Sequence, residues 1–554
     1  MVFTIMKRIK NITFICILAG MIAGCTGNFD SMNKNPLAAT EVTPSLLLTK
    51  MEEYGFNCRS WEYQVGNNLY TNDYAQYVSN TATYFATANY EWKDNWASDG
   101  FWKSYYTYLA KPLNETKAML DRHPEYSNIY QMMRIISAMG AARTTDMFGD
   151  VPYFNAATGE ITPRYDSQKD IYYDIFKELT EASGLLASNT NQLDPGANDI
   201  IYKGDVKKWI KLANACRLRF AMRLRYIDPE KSKAEAEAAL KAPLFEGNQD
   251  NAGVAQAKTN SGHSLYTIAF WNEFRVSKTM IDMMLYESSV TDPRILLWFG
   301  KTQAWLYGTK FQDSENKIPV AEWQGIPNGR NTFVNQYHYL NNSCVWGSRG
   351  YPGWNKSEAG TVKSGSTAAD FNGKSPTVVI PMIIFNYAEV CFLKAEAALF
   401  GYNGAGDAKA NYEAGIRASF AEARSGVDAA FYSKDNDDAY IAGGEVKWGT
   451  DKEDNFRKII TQKWIGIYPN SIEAWTEFRR TGYPLYDGKR QGIRPIEVNN
   501  STTIPQGQFV KRLRYLDDEI KLNPHASEAA LNNKQNSDPK SMNVRVWWDT
   551  GRYK

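Results

Sequence analysis

The residues of this 554-residue chain best suited to chemistry are aromatic side chains set in polar stretches, and that chemistry is binding rather than reaction. Tyr84, Phe85, Tyr90, Trp92 and Trp96 crowd one such stretch, just ahead of a helix near Trp102 and Tyr106. Trp305, Trp323, Tyr337, Tyr339, Trp346, Tyr351 and Trp354 recur through a second, rich in Gly, Asn and Ser. Flat aromatic faces bury an apolar ligand face, and Asn, Asp, Arg and Gln around them hydrogen-bond polar groups at its rim. Trp92, Tyr84, Trp323 and Trp346 are the leading candidates. Trp102, Trp209, Trp464 and Trp475 lie on helical stripes and are assigned to the core instead.

Most reactive chemistries have no foothold. No dinucleotide, phosphate-loop, zinc-protease or nucleophile-elbow pattern occurs. The four His residues are far apart in sequence. Asp435-Asn436-Asp437-Asp438 starts like a calcium loop, but Tyr440 stands where such a loop needs Gly, so it reads as a solvated loop. No cofactor and no catalytic residue is expected; a calcium ion bracing the loops is left open. With 63 basic and 61 acidic residues the chain is near neutral, which gives no reason to expect a nucleic-acid partner.

The N-terminus sets the address. Lys7, Arg8 and Lys10 precede an apolar run from Ile12 to Ala23, and the run ends in Ile22-Ala23-Gly24-Cys25. A positive start, a short apolar stretch and small residues before a Cys resemble a bacterial lipoprotein signal over residues 1–24, with Cys25 lipidated. Residues 25–44 read as lipidated Cys and polar tether. Of the other cysteines, Cys216 and Cys391 fall in apolar helical stretches and read as core. Cys58 and Cys344 are open to a disulfide in an envelope compartment.

The elements that must position the aromatics are mostly helical. Ser167 and Asp170 form a capping box ahead of Ile171, Ile175 and Leu179. A helix from about Asp205 carries Trp209, Ala213, Cys216 and Phe220 on one face and crowds Arg217, Arg219, Arg223 and Arg225 into its second half. That cluster reads as a solvated or paired helix end. Residues 386–424 form a helix pair with a small-residue stripe, Ala388, Cys391, Ala395 and Ala398, and residues 456–482 form another. Such pairs look like diverged tetratricopeptide units. Glu389 and Glu396 are given packing or capping roles. The body, 45–554, thus divides into a helical scaffold over about 45–256 and 381–490, a loop-rich region over about 257–380, and an irregular C-terminal region, 491–554, with a short extended piece at 544–548.

Six segments in order resemble the SusD/RagB family of Bacteroidetes outer-membrane lipoproteins. They are Asn33-Lys34-Asn35-Pro36; Thr145-Asp146-Met147-Phe148-Gly149-Asp150-Val151-Pro152-Tyr153; Lys208-Trp209 with Leu212-Ala213-Asn214 and Arg217-Leu218-Arg219; Tyr387-Ala388-Glu389-Val390 with Lys394-Ala395-Glu396-Ala397; Gln462-Lys463-Trp464 with Glu473-Ala474-Trp475 and Arg479-Arg480-Thr481-Gly482-Tyr483-Pro484; and Arg512, Arg514 and Tyr515. The resemblance implies a mainly α SusD-like fold, interrupted tetratricopeptide-like pairs with a loop-rich ligand region. It implies a lipid-anchored protein on the cell exterior that binds a glycan, catalyses nothing and hands its cargo to a SusC-like TonB-dependent transporter. A peptide or glycopeptide cargo fits the same architecture, and a lipoprotein glycosidase is the remaining alternative.

Overall fold

A computed structural model describes residues 42–82, 84–255, 263–269, 271, 273–302, 321–329, 342–345, 380–427, 429, 432–532 and 538–553. Cys25 and most of the tether lie outside the described residues, as do Trp305, Tyr337, Tyr339, Trp346, Tyr351 and Trp354.

Ten helices carry the body: α1 Pro44–Tyr54, α2 Ser127–Phe148, α3 Gln168–Ser188, α4 Val206–Arg223, α5 Pro229–Lys241, α6 Lys278–Tyr286, α7 Tyr387–Leu399, α8 Ala408–Arg424, α9 Lys452–Gly466 and α10 Ser471–Thr481. Their starts are written in side chains that accept from backbone N–H groups otherwise left orphaned. Ser167, Asp205, Asp228, Ser277, Asn386, Asp407, Asp451 and Asn470 each do this. Gly482, at φ 79°, ends α10 in the left-handed turn that favours glycine. The helices pack as neighbours, α2 on α3, α3 on α4, α4 on α5, and α7 on both α8 and α9. Small residues set the closest of these contacts. The Phe392 ring of α7 lies where a Cβ on Gly415 would come within 2.7 Å and one on Gly466 within 3.1 Å.

The Arg-rich end of α4 is buried and paired. Arg219 meets Glu389 at 2.8 Å, Arg223 meets Glu473 at 2.7 Å and Glu477 at 2.9 Å, and Arg225 meets Glu396 at 2.8 Å. Lys463 lies 3.1 Å from Glu389, and Arg480 bonds both Glu396 and Glu477 at 2.7 Å. Every one of these side chains is a tenth exposed or less. One ionic knot therefore ties α4, α7, α9 and α10, and Glu389 and Glu396 are ion-pair partners rather than caps or spacers. Neighbouring cations hold the Glu389, Glu396 and Glu477 carboxyls below the usual range against burial, which pushes them up.

Residues 544–548 alternate inward and outward, and Trp548 donates to Asp146 at 2.6 Å. Three expectations are corrected. Asp437 and Asp438 open a helix, Asp437–Ala442, and are taken by Arg424 and Arg417 at 2.6 Å, so the acidic run is not a free loop. Cys58 and Cys344 are both buried, and no disulfide joins them. Residues 263–302, expected as loops, hold α6 and two shorter helices, Ser264–Ala269 and Ile295–Trp298.

Four short strands brace the loops against this scaffold. β1 Val78–Asn80 pairs antiparallel with β3 Phe274–Val276, and β2 Ala252–Val254 pairs with β4 Met382–Phe385. Beside β1, the π-helical turn Tyr63–Thr71 crosses a second, Ser98–Trp102, with Gly66 against Gly100. A Cβ on Gly100 would sit 2.4 Å from the Gly66 Cα, so only glycine permits this crossing.

Candidate functional site

β3 links the two aromatic stretches singled out above. Glu273 stands at its N-terminal end and Ser277-Lys278 at its C-terminal end. The first end holds Tyr84, which is 64% exposed. Its hydroxyl donates to Glu273 Oε1 at 2.6 Å, and that carboxylate also accepts from Gln64 at 3.3 Å. The bond to Glu273 raises the phenol to about 12. Phe85 supports the ring from 4.5 Å away. An exposed tyrosine fixed in this way presents a flat face at little entropic cost.

Its neighbours do not share that role. Phe85 and Tyr90 are buried, the one beside Trp96 and the other edge-on to Tyr74 at 5.6 Å. Trp92 is half-buried, edge-on to Tyr70 at 6.0 Å, with Arg514 over its ring at 5.3 Å and its indole N–H on Asp94 at 3.0 Å. Phe85 and Tyr90 thus turn their rings inward, and Trp92 leaves part of its ring open to solvent. Their loop looked open in sequence, but Asn89 donates to Val498 O at 2.7 Å and its carbonyl accepts from Asn500 N, which press it onto the body.

The second end of β3 opens on a cleft of about 510 Å³, walled by Trp323 from the loop and Tyr286 from the end of α6. Tyr286 is 62% exposed and Trp323 is half-buried. Gln76, Asp282, Gln324, Asn328, Arg494 and Glu497 supply the polar lining. The cleft is stiffly built. Gln76 accepts from Thr279 at 2.6 Å and from the Arg494 N–H at 3.0 Å. Asn328 donates to Val78 O at 2.7 Å and to Asp73 at 3.0 Å, and Asn80 donates to the other Asp73 oxygen at 2.9 Å. Burial pushes the Asp73 carboxyl up to about 8, against those two hydrogen bonds. Asp282 accepts from Lys278 at 2.8 Å and from Arg494 at 3.0 Å. The Arg494 guanidinium is stacked 4.0 Å from the Tyr486 ring and also donates to Gln491 at 2.8 Å.

Two aromatic walls with amide, carboxylate and guanidinium groups between them are suited to holding a polyhydroxylated ring. Among the described residues no group of three or more His, Cys, Asp and Glu could hold a metal ion. Of the sequence candidates, Trp323 lines the cleft and Tyr84 faces solvent beyond the other end of β3. Tyr286, Asp282 and Arg494 were missed. Tyr286 carried a usable signal: it lies off the apolar stripe of Met280, Met283 and Met284 on an amphipathic helix.

A family model described as SusD-like, Susd and RagB outer membrane lipoprotein, matches residues 27–549. No curated protein matches the chain. Among solved structures, a SusD homologue from Bacteroides thetaiotaomicron is 24% identical with a TM-score of 0.72, over 93% of this chain and 100% of its own. A chitin-binding SusD homologue from Flavobacterium johnsoniae is 25% identical with a TM-score of 0.71, over 92% of this chain and 98% of its own. A structure described as a chitin-binding protein is 27% identical with a TM-score of 0.70, over 92% of this chain and 100% of its own.

Proposed function

The chain belongs to the SusD/RagB family of outer membrane lipoproteins, and from that premise we propose that it binds a glycan in the cleft between Trp323 and Tyr286 and delivers it, uncleaved, to a SusC-like TonB-dependent transporter. The observation that carries this reading is the cleft itself, two aromatic walls around a braced polar floor. Tyr84 and Trp92, with Trp305, Tyr337, Trp346, Tyr351 and Trp354, extend the candidate platform. The chitin-binding relatives make β-linked N-acetylhexosamine chains the first class to try. A shallow, non-covalent site suits a carrier that must release its cargo. Lipid on Cys25 holds the protein to the outer membrane, and the exterior is where such a carrier meets polymer.

Calorimetric titration of the chain from residue 26 onward with chitohexaose, cellohexaose and mannohexaose tests this. Binding of one of them, lost in Trp323→Ala and with the sugar recovered intact, is expected. Binding unaffected by Trp323→Ala would remove the cleft from the reading, and a shortened product would replace the carrier by a glycosidase.

A further inference from the structure

The cleft's charges, taken together with its walls, say which glycans it takes. Four ionic side chains line it: Lys278, Arg494, Asp282 and Glu497. Asp282 is a tenth exposed and draws on both cations at once. Its two oxygens accept from Lys278 Nζ at 2.8 and 3.0 Å, and Oδ2 also accepts from Arg494 Nη2 at 3.0 Å. That guanidinium cannot swing away to meet a ligand. Its ring contact with Tyr486, its bond to Gln491 and the Gln76 bond to its backbone N–H fix it.

Resting on the glycan reading, we propose that this cleft selects neutral oligosaccharides against uronate-bearing or sulfated ones, and that Asp282 is the residue that sets the selection. Two cations and two carboxylates leave the lining with no net charge. A carboxylate brought in on a sugar would find both cations already engaged by Asp282 and would meet the Asp282 carboxylate between them, with Glu497 also on the lining. Juxtaposed like charges in a half-buried site are a strong form of discrimination. A neutral ring meets no such opposition: the carboxylate oxygens and the remaining guanidinium N–H groups exchange hydrogen bonds with its hydroxyls. Binding that needs no net charge is also insensitive to salt.

The test uses matched ligands that differ only in charge: chitohexaose, cellohexaose and mannohexaose, and the C6-carboxylated form of each, titrated into the wild type, Asp282→Asn, Glu497→Gln and Trp323→Ala. The wild type is expected to prefer a neutral member by about tenfold or more over its carboxylated form, with affinity unchanged between low and high salt. Asp282→Asn frees Lys278 and Arg494 and is expected to raise affinity for the carboxylated form about tenfold, in a salt-dependent way. Glu497→Gln, which leaves the clamp intact, moves the preference in the same direction by less. Equal binding of neutral and carboxylated forms by the wild type overturns the inference, and so does an Asp282→Asn variant that stays folded by circular dichroism yet gains nothing for the acid. Binding that Trp323→Ala leaves intact, or no binding of either series, fails the glycan reading instead.

Discussion

Tyr84 and Tyr90 are the same residue type in one loop, yet one is 64% exposed and the other 3%. What separates them is their partners: Glu273 holds Tyr84 outward, whereas Tyr74 receives Tyr90 into the core. Their substitutions should therefore diverge. Trp323→Ala or Tyr286→Ala is expected to weaken glycan binding by about 1–3 kcal/mol with the thermal midpoint unchanged. Tyr90→Ala is expected to cost about 3–5 kcal/mol of stability as a core truncation, read by urea unfolding. The residue behind the cleft carries a pH effect. Burial lifts Asp73 to about 8, so the folded chain keeps a proton that the unfolded chain loses near pH 4. A raised folded value gives stability that is whole below the unfolded value and is lost as pH rises through about 8. The thermal midpoint should then fall between about pH 5 and about pH 9, and Asp73→Asn should flatten that fall. Sequence supplied the aromatic types and their polar setting. Exposure was not in it, because exposure comes from contacts with residues hundreds of positions away, such as the clasp between Asn89 and Val498.

The helices themselves were easier to read. The capping box at Ser167, the small-residue pair over 386–424 and the turn at Gly482 are local signals, and each is present in the fold. The ionic knot was not legible, since an Arg on a helix reads the same whether it faces water or another helix. Only when α4, α7, α9 and α10 converge do Arg223, Glu473 and Glu477 meet. Arg480→Met is expected to cost about 3–5 kcal/mol, because it leaves the buried Glu396 and Glu477 carboxylates each one cation short, with only Arg225 against the first and Arg223 and Lys463 against the second. Acid should act on the same knot. Carboxyls held below their usual values contribute stability that is present above about pH 4.5 and lost as pH falls further. Urea midpoints taken at neutral pH and near pH 3 should thus differ less for Arg480→Met than for the wild type. The crossing of Gly66 over Gly100 is a second element-scale constraint. Gly100→Ala should lose about 1–3 kcal/mol through overpacking, measured the same way.

For the whole molecule the question is attachment. Among the described residues no helix is long and apolar enough to cross a membrane. The chain belongs to a family of outer membrane lipoproteins, and the proposed site of the lipid is Cys25, at the end of the N-terminal pattern Ala23-Gly24-Cys25. Buried acyl chains contribute about 0.8 kcal/mol per methylene, so one chain holds a protein reversibly and several on one Cys hold it firmly. Cys25→Ala should convert the protein from membrane-bound to soluble in cell fractionation. The comparison belongs in a strain without the transporter partner, because docking alone could retain the unlipidated chain. Membrane retention there would show that the anchor is not Cys25. With the anchor intact, protease added to whole cells should cut the wild-type body if it faces the exterior, and should spare it if it faces inward.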